Sequence, residues 1–263
     1  MDQVTAFYDD LSAHYHLLFA DWDATLRRQG AMIDGLVAAR LGAGRKRVLD
    51  ATCGIGTQAI GLALQGHEVT GADLSSPAVA RARREAERFG VAAQFSVADL
   101  RQLSSAAEGR IPVVLSFDNS LPHLLSDDDL AAALREIAAV LEPGGLFLAS
   151  IRDYDALISE RPRATPLRVF DDAAGRRVLF QLWDWEADGN GYQVTQYILR
   201  HNSDGIESLA FTSRFRALRR RELERALTAA GFEGLEWIEP SEDGYYQPVI
   251  VARHRSSDLE DRP

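Results

Sequence analysis

The chain has 263 residues, of which 46% are apolar and 26% charged, so it can bury a substantial core, and disordered or fibrous folds are excluded. The formal net charge of −10 lacks the basic excess of a nucleic-acid binder, so we expect no nucleic-acid partner. Cys53 is the only cysteine, which excludes an intrachain disulfide and a thiolate-rich zinc site, and we predict no bound metal. No apolar run approaches the roughly 20 residues that span a bilayer, and a signal-peptide pattern is missing. The sequence therefore predicts a cytoplasmic protein without membrane contact.

The first 155 residues predict an α/β fold. Val4 to Val37 is typical of one or two amphipathic helices, which we assign to a helical cover over residues 1–44. Residues 45–155 alternate short apolar runs with helical patterns, as in a doubly wound, Rossmann-like parallel sheet. The predicted strands are 47–50, 68–72, 93–97, 112–116 and 146–150, and the predicted helices are 57–65, 76–89 and 127–141.

The pattern becomes β-like from Val169 to Phe215. The turn sequences Asp188-Gly189-Asn190-Gly191 and Asp204-Gly205 separate alternating runs, which predicts a three-stranded antiparallel sheet of 178–185, 192–199 and 206–215. We interpret residues 156–217 as a lid inserted after the fifth strand of a single domain. A helix (220–230) and two strands (235–238 and 248–252) complete residues 218–252, and 253–263 are predicted to be a loose tail.

A glycine loop joins the first strand to the next helix, in Val48-Leu49-Asp50-Ala51-Thr52-Cys53-Gly54-Ile55-Gly56-Thr57. Such loops let backbone N–H groups approach a nucleotide-like ligand. The residues Gly54-x-Gly56-x-x-Ala59, with Asp73 downstream, also satisfy the dinucleotide fingerprint of nicotinamide enzymes. However, Gly54 lies four positions after the end of the strand, and the Asp50 carboxylate would repel a pyrophosphate.

Three acids follow three successive predicted strands: Asp50, Asp73 and Asp99. The carboxyl ends of parallel strands meet at one edge of a sheet, so these carboxylates are expected near the glycine loop. Asp73 is placed to accept hydrogen bonds from both ribose hydroxyls, and Asp99 is placed to meet the amine of an adenine. The pattern predicts a site for an adenosine that carries no phosphate.

With these motifs, residues 45–155 resemble the class I S-adenosylmethionine-dependent methyltransferases. The resemblance implies S-adenosyl-L-methionine as cofactor and S-adenosyl-L-homocysteine as product. One departure is Thr52, which stands where the family usually has its first loop glycine. The implied cofactor-binding residues are Asp50, Thr52, Gly54 and Gly56 at the methionine portion, Asp73 and Leu74 at the ribose, Asp99 and Leu100 at the adenine, and Asn119 beneath the cofactor.

Two further motifs are similar to those of the glycine and sarcosine N-methyltransferase group. They are Asn119-Ser120-Leu121-Pro122-His123-Leu124 and Ile151-Arg152-Asp153-Tyr154-Asp155. The resemblance implies that Arg152 holds the carboxylate of an amino-acid substrate, and adds Asn119, His123 and Tyr154 as catalytic candidates. At the N-terminus it implies that Tyr15 and Arg28 cover the cofactor.

The best single hypothesis is therefore methyl transfer to a small molecule, most specifically to the amine of a glycine-like amino acid. The sequence leaves open N- or O-methylation of another small metabolite or natural product. It leaves open, at lower weight, a nicotinamide-dependent oxidoreductase and a cofactor-binding protein without catalysis. Whether the chain forms a homo-oligomer is also open.

Overall fold

The computed structural model describes residues 3–106, 109–172, 175–202, 205–241 and 244–256. Its helices are α1 (Gln3–Leu11), α2 (Trp22–Leu41), α3 (Thr57–Leu64), α4 (Ser76–Phe89), α5 (Asp127–Val140), α6 (Tyr154–Glu160) and α7 (Arg220–Ala229). Its strands are β1 (Arg47–Asp50), β2 (Glu68–Asp73), β3 (Ala93–Val97), β4 (Ile111–Ser116), β5 (Leu141–Ser150), β6 (Arg168–Asp172), β7 (Gly175–Trp185), β8 (Gly191–Asn202), β9 (Gly205–Arg216), β10 (Phe232–Ile238) and β11 (Val249–His254). None of the helices in the described ranges is long and apolar enough to cross a bilayer.

Seven strands form the main sheet, in the order β10-β11-β5-β4-β1-β2-β3. Strands β1 to β5 are parallel, and β11 pairs antiparallel with both β5 and β10. The strand order reverses between β1 and β4, and a doubly wound sheet opens its ligand crevice at such a point. The predicted α/β fold class is confirmed.

Successive residues of the strands alternate between two apolar layers, one on each face of the sheet. Val48 and Val69 pack with Leu26 of α2 on one face. Leu49 and Phe147 belong to the layer on the other face, which also contains side chains of α5 and α7. This alternation has the two-residue period of a strand, so the apolar runs of the sequence specify which side chains each face buries.

The antiparallel insertion is a second sheet, with the order β6-β7-β8-β9. It has four strands instead of the predicted three, because β6 pairs with β7 from Arg168↔Leu179 to Asp172↔Gly175. Helix α6 at the start of the insertion was also not predicted. The Asp188–Gly191 turn joins β7 and β8 as predicted, whereas Asp204 lies outside the described residues.

The structure also refines the two ends of the chain. Residues 253 and 254, assigned to a tail, belong to β11, where Arg253 pairs with Leu146 of the sheet. The N-terminal cover is α1 and α2, joined through a 3₁₀ turn at Tyr15–Leu18. Phe7 and Leu11 of α1 pack on Leu179 and Ile198 of the four-stranded sheet, so the cover contacts the insertion.

Candidate active site

The glycine loop turns sharply between β1 and α3. Gly54 and Gly56 have φ angles of 52° and 94°, a region that glycine adopts without steric cost. The backbone N–H of Cys53 donates to the carbonyl of Ala72 (2.9 Å), and that of Gly54 donates to Asp73 Oδ2 (2.8 Å). The loop is thereby fixed against the end of β2, with the Asp73 carboxylate beside it.

Thr52 takes the place of a loop glycine without strain. The non-glycine residues with positive φ in the described ranges are Asp118, Asn119 and Arg161, so the backbone of Thr52 needs no glycine. Its hydroxyl donates to Ser116 Oγ (3.2 Å), which joins the loop to the end of β4.

A cavity of about 520 Å³ lies above the loop, and we call it the cofactor cavity. Eight of the sequence-predicted site residues line it: Tyr15, Thr52, Gly54, Asp73, Leu74, Asp99, Leu100 and His123. Burial raises the pKa of the Asp73 carboxyl, while the N–H groups of Ser75 and Gly54 oppose that rise. Each carboxylate oxygen of Asp73 accepts one hydrogen bond from these backbone groups. A carboxylate oxygen can accept a second hydrogen bond, so both oxygens can still bind a ligand hydroxyl.

Asp99 lies in the cofactor cavity but is not free. Arg101, which the sequence reasoning missed, binds both of its carboxylate oxygens at 2.7 to 3.2 Å and reaches Asp129 Oδ1 at 2.8 Å. The hydrogen bonds from Arg101 hold the pKa of Asp99 below its usual value. An adenine amine at this end of the cavity therefore meets an ion-paired carboxylate, with the Arg101 guanidinium beside it.

Asp50 and Gly56, which the sequence assigned to the methionine portion of the cofactor, are not among the residues that line the cavity. Asp50 is fully buried beneath the loop, where Oδ1 accepts a long hydrogen bond from the Thr52 N–H (3.5 Å) and Oδ2 has no hydrogen-bond partner among the residues that the structure describes. Burial, with Asp73 and Asp118 nearby, raises the pKa of Asp50 to about 7. Gly56 supports the loop from behind as the residue that precedes α3.

A second cavity, of about 620 Å³, lies between the main sheet, the N-terminal cover and the insertion, and we call it the acceptor cavity. Arg152 lines it, with Nη1 donating to the Tyr192 hydroxyl (2.8 Å) and Nη2 to Gln181 Oε1 (3.1 Å). The guanidinium also lies 4.6 Å from the centre of the Trp183 ring. Among the described residues Arg152 has no carboxylate partner, so its positive charge is available to an anionic ligand.

Asn119 lines the acceptor cavity and not the cofactor cavity, where the sequence placed it. Its Oδ1 accepts from the backbone N–H of Arg152 (2.9 Å) and from the Tyr154 hydroxyl (3.1 Å), and its buried Nδ2 has no hydrogen-bond partner within the described part of the chain. Tyr154, which the sequence offered as a catalytic candidate, is fully buried behind Asn119 and Tyr192 and is not among the residues that line either cavity.

His123 contacts the N-terminal helix. Its Nε2 lies 2.9 Å from the Tyr8 hydroxyl, and its ring lies 4.1 Å, centre to centre, from Phe215. Burial lowers the pKa of His123 to about 3, so the ring is neutral near pH 7 and Nε2 can accept the Tyr8 hydrogen. A neutral imidazole with so low a pKa is a weak proton acceptor. The geometry therefore favours a role in which His123 holds the Tyr8 hydroxyl in place over a role as catalytic base.

Arg28 lines the acceptor cavity with Gln29, although the sequence assigned it to the cofactor. Tyr15, its predicted companion, lines both cavities. Two more residues, Tyr8 and Asp118, are also shared by both cavities and were missed. Asp118 could have been found from the sequence, because it directly precedes the motif residue Asn119. Tyr8 belongs to no motif that would have indicated it.

A comparison with protein families matches residues 48–145 to the methyltransferase domain family. The matched segment contains the glycine loop, Asp73 and Asp99, which also line or support the cofactor cavity. Residues 48–145 are a methyltransferase domain of the class I S-adenosylmethionine-dependent family.

Among curated proteins, the chain is similar to the glycine/sarcosine N-methyltransferase of Parasynechococcus marenigrum, with 33% identity over 138 residues, or 52% of this chain and 48% of that protein. The chain spans about half the length of the curated relatives it matches.

Two solved structures share the fold over most of the chain. An S-adenosylmethionine-dependent methyltransferase from Clostridium acetobutylicum superposes with a TM-score of 0.75 at 15% identity, over 93% of this chain and 98% of that one. The S-adenosylmethionine-bound amino pentose methyltransferase CalS10 of Micromonospora echinaspora has a TM-score of 0.70 at 18% identity, over 87% and 91% of the two chains. At these identities the likeness concerns the fold.

The residues of the methyltransferase domain fit S-adenosylmethionine, the cofactor predicted from the sequence and confirmed by the family. Asp73 offers free acceptor positions for ribose hydroxyls beside the glycine loop. Asp50 supports the loop from beneath and does not line the cofactor cavity. The described residues contain no group of three or more His, Cys, Asp or Glu side chains arranged to hold a metal ion.

Proposed function

We propose that this chain transfers the methyl group of S-adenosylmethionine to the amine of a small carboxylate-bearing molecule, an amino acid of the glycine or sarcosine type. The observation that carries the proposal is the guanidinium of Arg152 in the acceptor cavity, without a carboxylate partner among the described residues. A guanidinium has five N–H donors, and the two hydrogen bonds described above leave three for a ligand. Its fork of parallel donors matches a carboxylate.

The surroundings of Arg152 support a fixed orientation. Tyr192 and Gln181 hold the two ends of the guanidinium, and Asn119 holds its backbone N–H. A substrate carboxylate bound there would be fixed at one end, which restricts where its amine can lie. The sulfonium of the cofactor already activates the methyl group. The protein therefore has to hold the amine in line with the S–CH₃ bond and to exclude water.

The test is a transfer assay with methyl-labelled S-adenosylmethionine and a panel of glycine, sarcosine, other amino acids, simple amines and phenols. We expect the label in amino acids, and expect Arg152→Lys to raise the KM for the amino acid by about 10- to 100-fold, the effect of a lost charge-assisted hydrogen bond. Arg176→Lys is the matched control, since Arg176 also lies in the insertion but is exposed, pairs with Asp171 and is not among the residues that line either cavity. If phenols accept the label and amino acids do not, the proposal is wrong, and O-methylation of another metabolite takes its place.

A further inference from the structure

Asp118 borders both cavities, together with Tyr8 and Tyr15. It lies two residues after Ser116, the last residue of β4, and its φ of 57° lies in the left-handed region. That conformation is uncommon for residues with a side chain and occurs mainly with Asn and Asp. The backbone N–H of Asp118 donates to Ser150 Oγ (2.8 Å), which holds the residue in this conformation. The fold thus presents this carboxylate at the boundary between the cofactor and acceptor cavities.

The Asp118 carboxylate is surrounded by uncharged donors. Oδ1 accepts from the hydroxyls of Tyr246 (2.8 Å) and Tyr245, and Oδ2 accepts from Gln58 Nε2 (3.1 Å) and, at 3.4 Å, from the Tyr15 hydroxyl. No Arg, Lys or His side chain in the described ranges forms an ion pair with it. Its negative charge therefore remains uncompensated, while Arg152 in the same acceptor cavity remains without an anion.

Methyl transfer moves a positive charge across this boundary. The C–S bond of the sulfonium breaks and its electron pair stays on sulfur, while the lone pair of the amine forms the new N–C bond. The charge passes from sulfur to nitrogen, and no proton has to move in that step. A carboxylate that borders both cavities lies near the charge before and after the transfer.

We infer that Asp118 is the counter-ion of this site, facing the sulfonium of the cofactor on one side and binding the amine of the acceptor on the other. This inference rests on the proposed function. With Arg152 at the carboxylate and Asp118 at the amine, the acceptor cavity selects a molecule that carries both a carboxylate and an amine, and the amine is in its neutral form when it attacks the methyl group. Two of the hydrogen bonds on Asp118 can be replaced by an N–H of the acceptor: the long one from Tyr15, and the one from Tyr246, whose side chain is 54% exposed.

The test compares the affinities of S-adenosylmethionine, which is a sulfonium cation, and S-adenosylhomocysteine, which is neutral at sulfur, by titration calorimetry. Asp118→Asn keeps the shape of the side chain and tolerates the left-handed backbone. We expect this variant to weaken the binding of S-adenosylmethionine about tenfold relative to that of S-adenosylhomocysteine, because only the sulfonium is attracted by the charge that the substitution removes. Asp129→Asn makes the same change in the cofactor cavity, next to Arg101, and should leave the ratio of the two affinities unchanged.

An unchanged ratio in Asp118→Asn would overturn the inference and leave the proposed function intact, whereas failure of the unaltered protein to bind either ligand would overturn the proposed function. If Asp118→Asn does not fold, the unaltered protein still decides the matter. Sinefungin carries a protonatable amine in place of the sulfonium methyl, so it should bind about tenfold more tightly than S-adenosylhomocysteine. Equal affinities would contradict a counter-ion at Asp118.

Discussion

Asp50 combines full burial with an oxygen that has no hydrogen-bond partner, and burial raises its pKa to about 7. The ordinary pKa of an aspartate in an unfolded chain is about 3.9. The folded protein therefore binds the proton more tightly than the unfolded chain does. The contribution of this group to stability is complete below about pH 4 and is lost as the pH rises through about 7.

Replacing Asp50 by Asn removes this dependence. We expect the free energy of unfolding of the ligand-free Asp50→Asn protein, relative to the unaltered protein, to increase by roughly 2–4 kcal/mol between pH 4 and pH 8. Urea denaturation at a series of pH values measures the difference. Asp128→Asn, at an exposed position of α5, should show no such trend, and a flat difference for Asp50→Asn would mean that Asp50 is not protonated in the folded state.

At the residue scale, the predictable site residues are those fixed by one local motif. Gly54 and Asp73 follow directly from the strand-loop-helix pattern, and the structure places both in the cofactor cavity. Tyr246 was missed because its partner Asp118 is distant in sequence, whereas Arg101 lies only two residues from Asp99 but belongs to no local motif.

Among the elements, strand β7 of the insertion fixes the N-terminal cover through Arg177, which is 7% exposed. Its Nη2 donates to the carbonyls of Phe19 (2.8 Å) and Ala20 (3.1 Å), and its Nε donates to the carbonyl of Leu17 (3.2 Å). These carbonyls lie at and just after the 3₁₀ turn that contains Tyr15. One side chain of the insertion therefore holds the segment that places Tyr15 between the two cavities.

Arg177→Met should lower the free energy of unfolding by roughly 2–4 kcal/mol, because three backbone carbonyls lose charge-assisted hydrogen bonds from the buried guanidinium and Asp172 loses its ion pair. It should also accelerate amide hydrogen exchange over residues 3–20. Arg176→Met is the matched control, since the neighbouring Arg176 is exposed and pairs only at the surface with Asp171, an interaction worth little. Equal effects of the two variants would show that Arg177 does not hold the cover.

At the scale of elements, the sequence predicts best where periodicity and terminal residues agree. Helix α4 begins at Ser76 and ends at Phe89 as predicted, because Ser75 caps its first turn and Gly90 adopts the left-handed conformation after it. Strand β6 was missed because it is short, lies at a sheet edge and is mostly exposed, which leaves little alternation to detect.

Across the whole molecule, one apolar cluster joins the main sheet to the insertion. It contains Leu49 and Phe147 of the main sheet together with Trp183, Tyr192 and Phe215 of the insertion. Sequence patterns could assign each of these residues to a strand, but not the contact between the two sheets, which depends on how the insertion folds back. That contact creates the acceptor cavity, so the acceptor is the least predictable part of the function.

The central claim is that the cavity above the glycine loop binds S-adenosylmethionine, with Asp73 on its ribose. Titration calorimetry of the unaltered protein and of Asp73→Ala with this cofactor tests it most directly. We expect one cofactor per chain for the unaltered protein, and no detectable binding for Asp73→Ala, in which the loop N–H of Gly54 also loses its acceptor. Absence of heat with both S-adenosylmethionine and S-adenosylhomocysteine, or tight binding of NADH instead, would contradict the account.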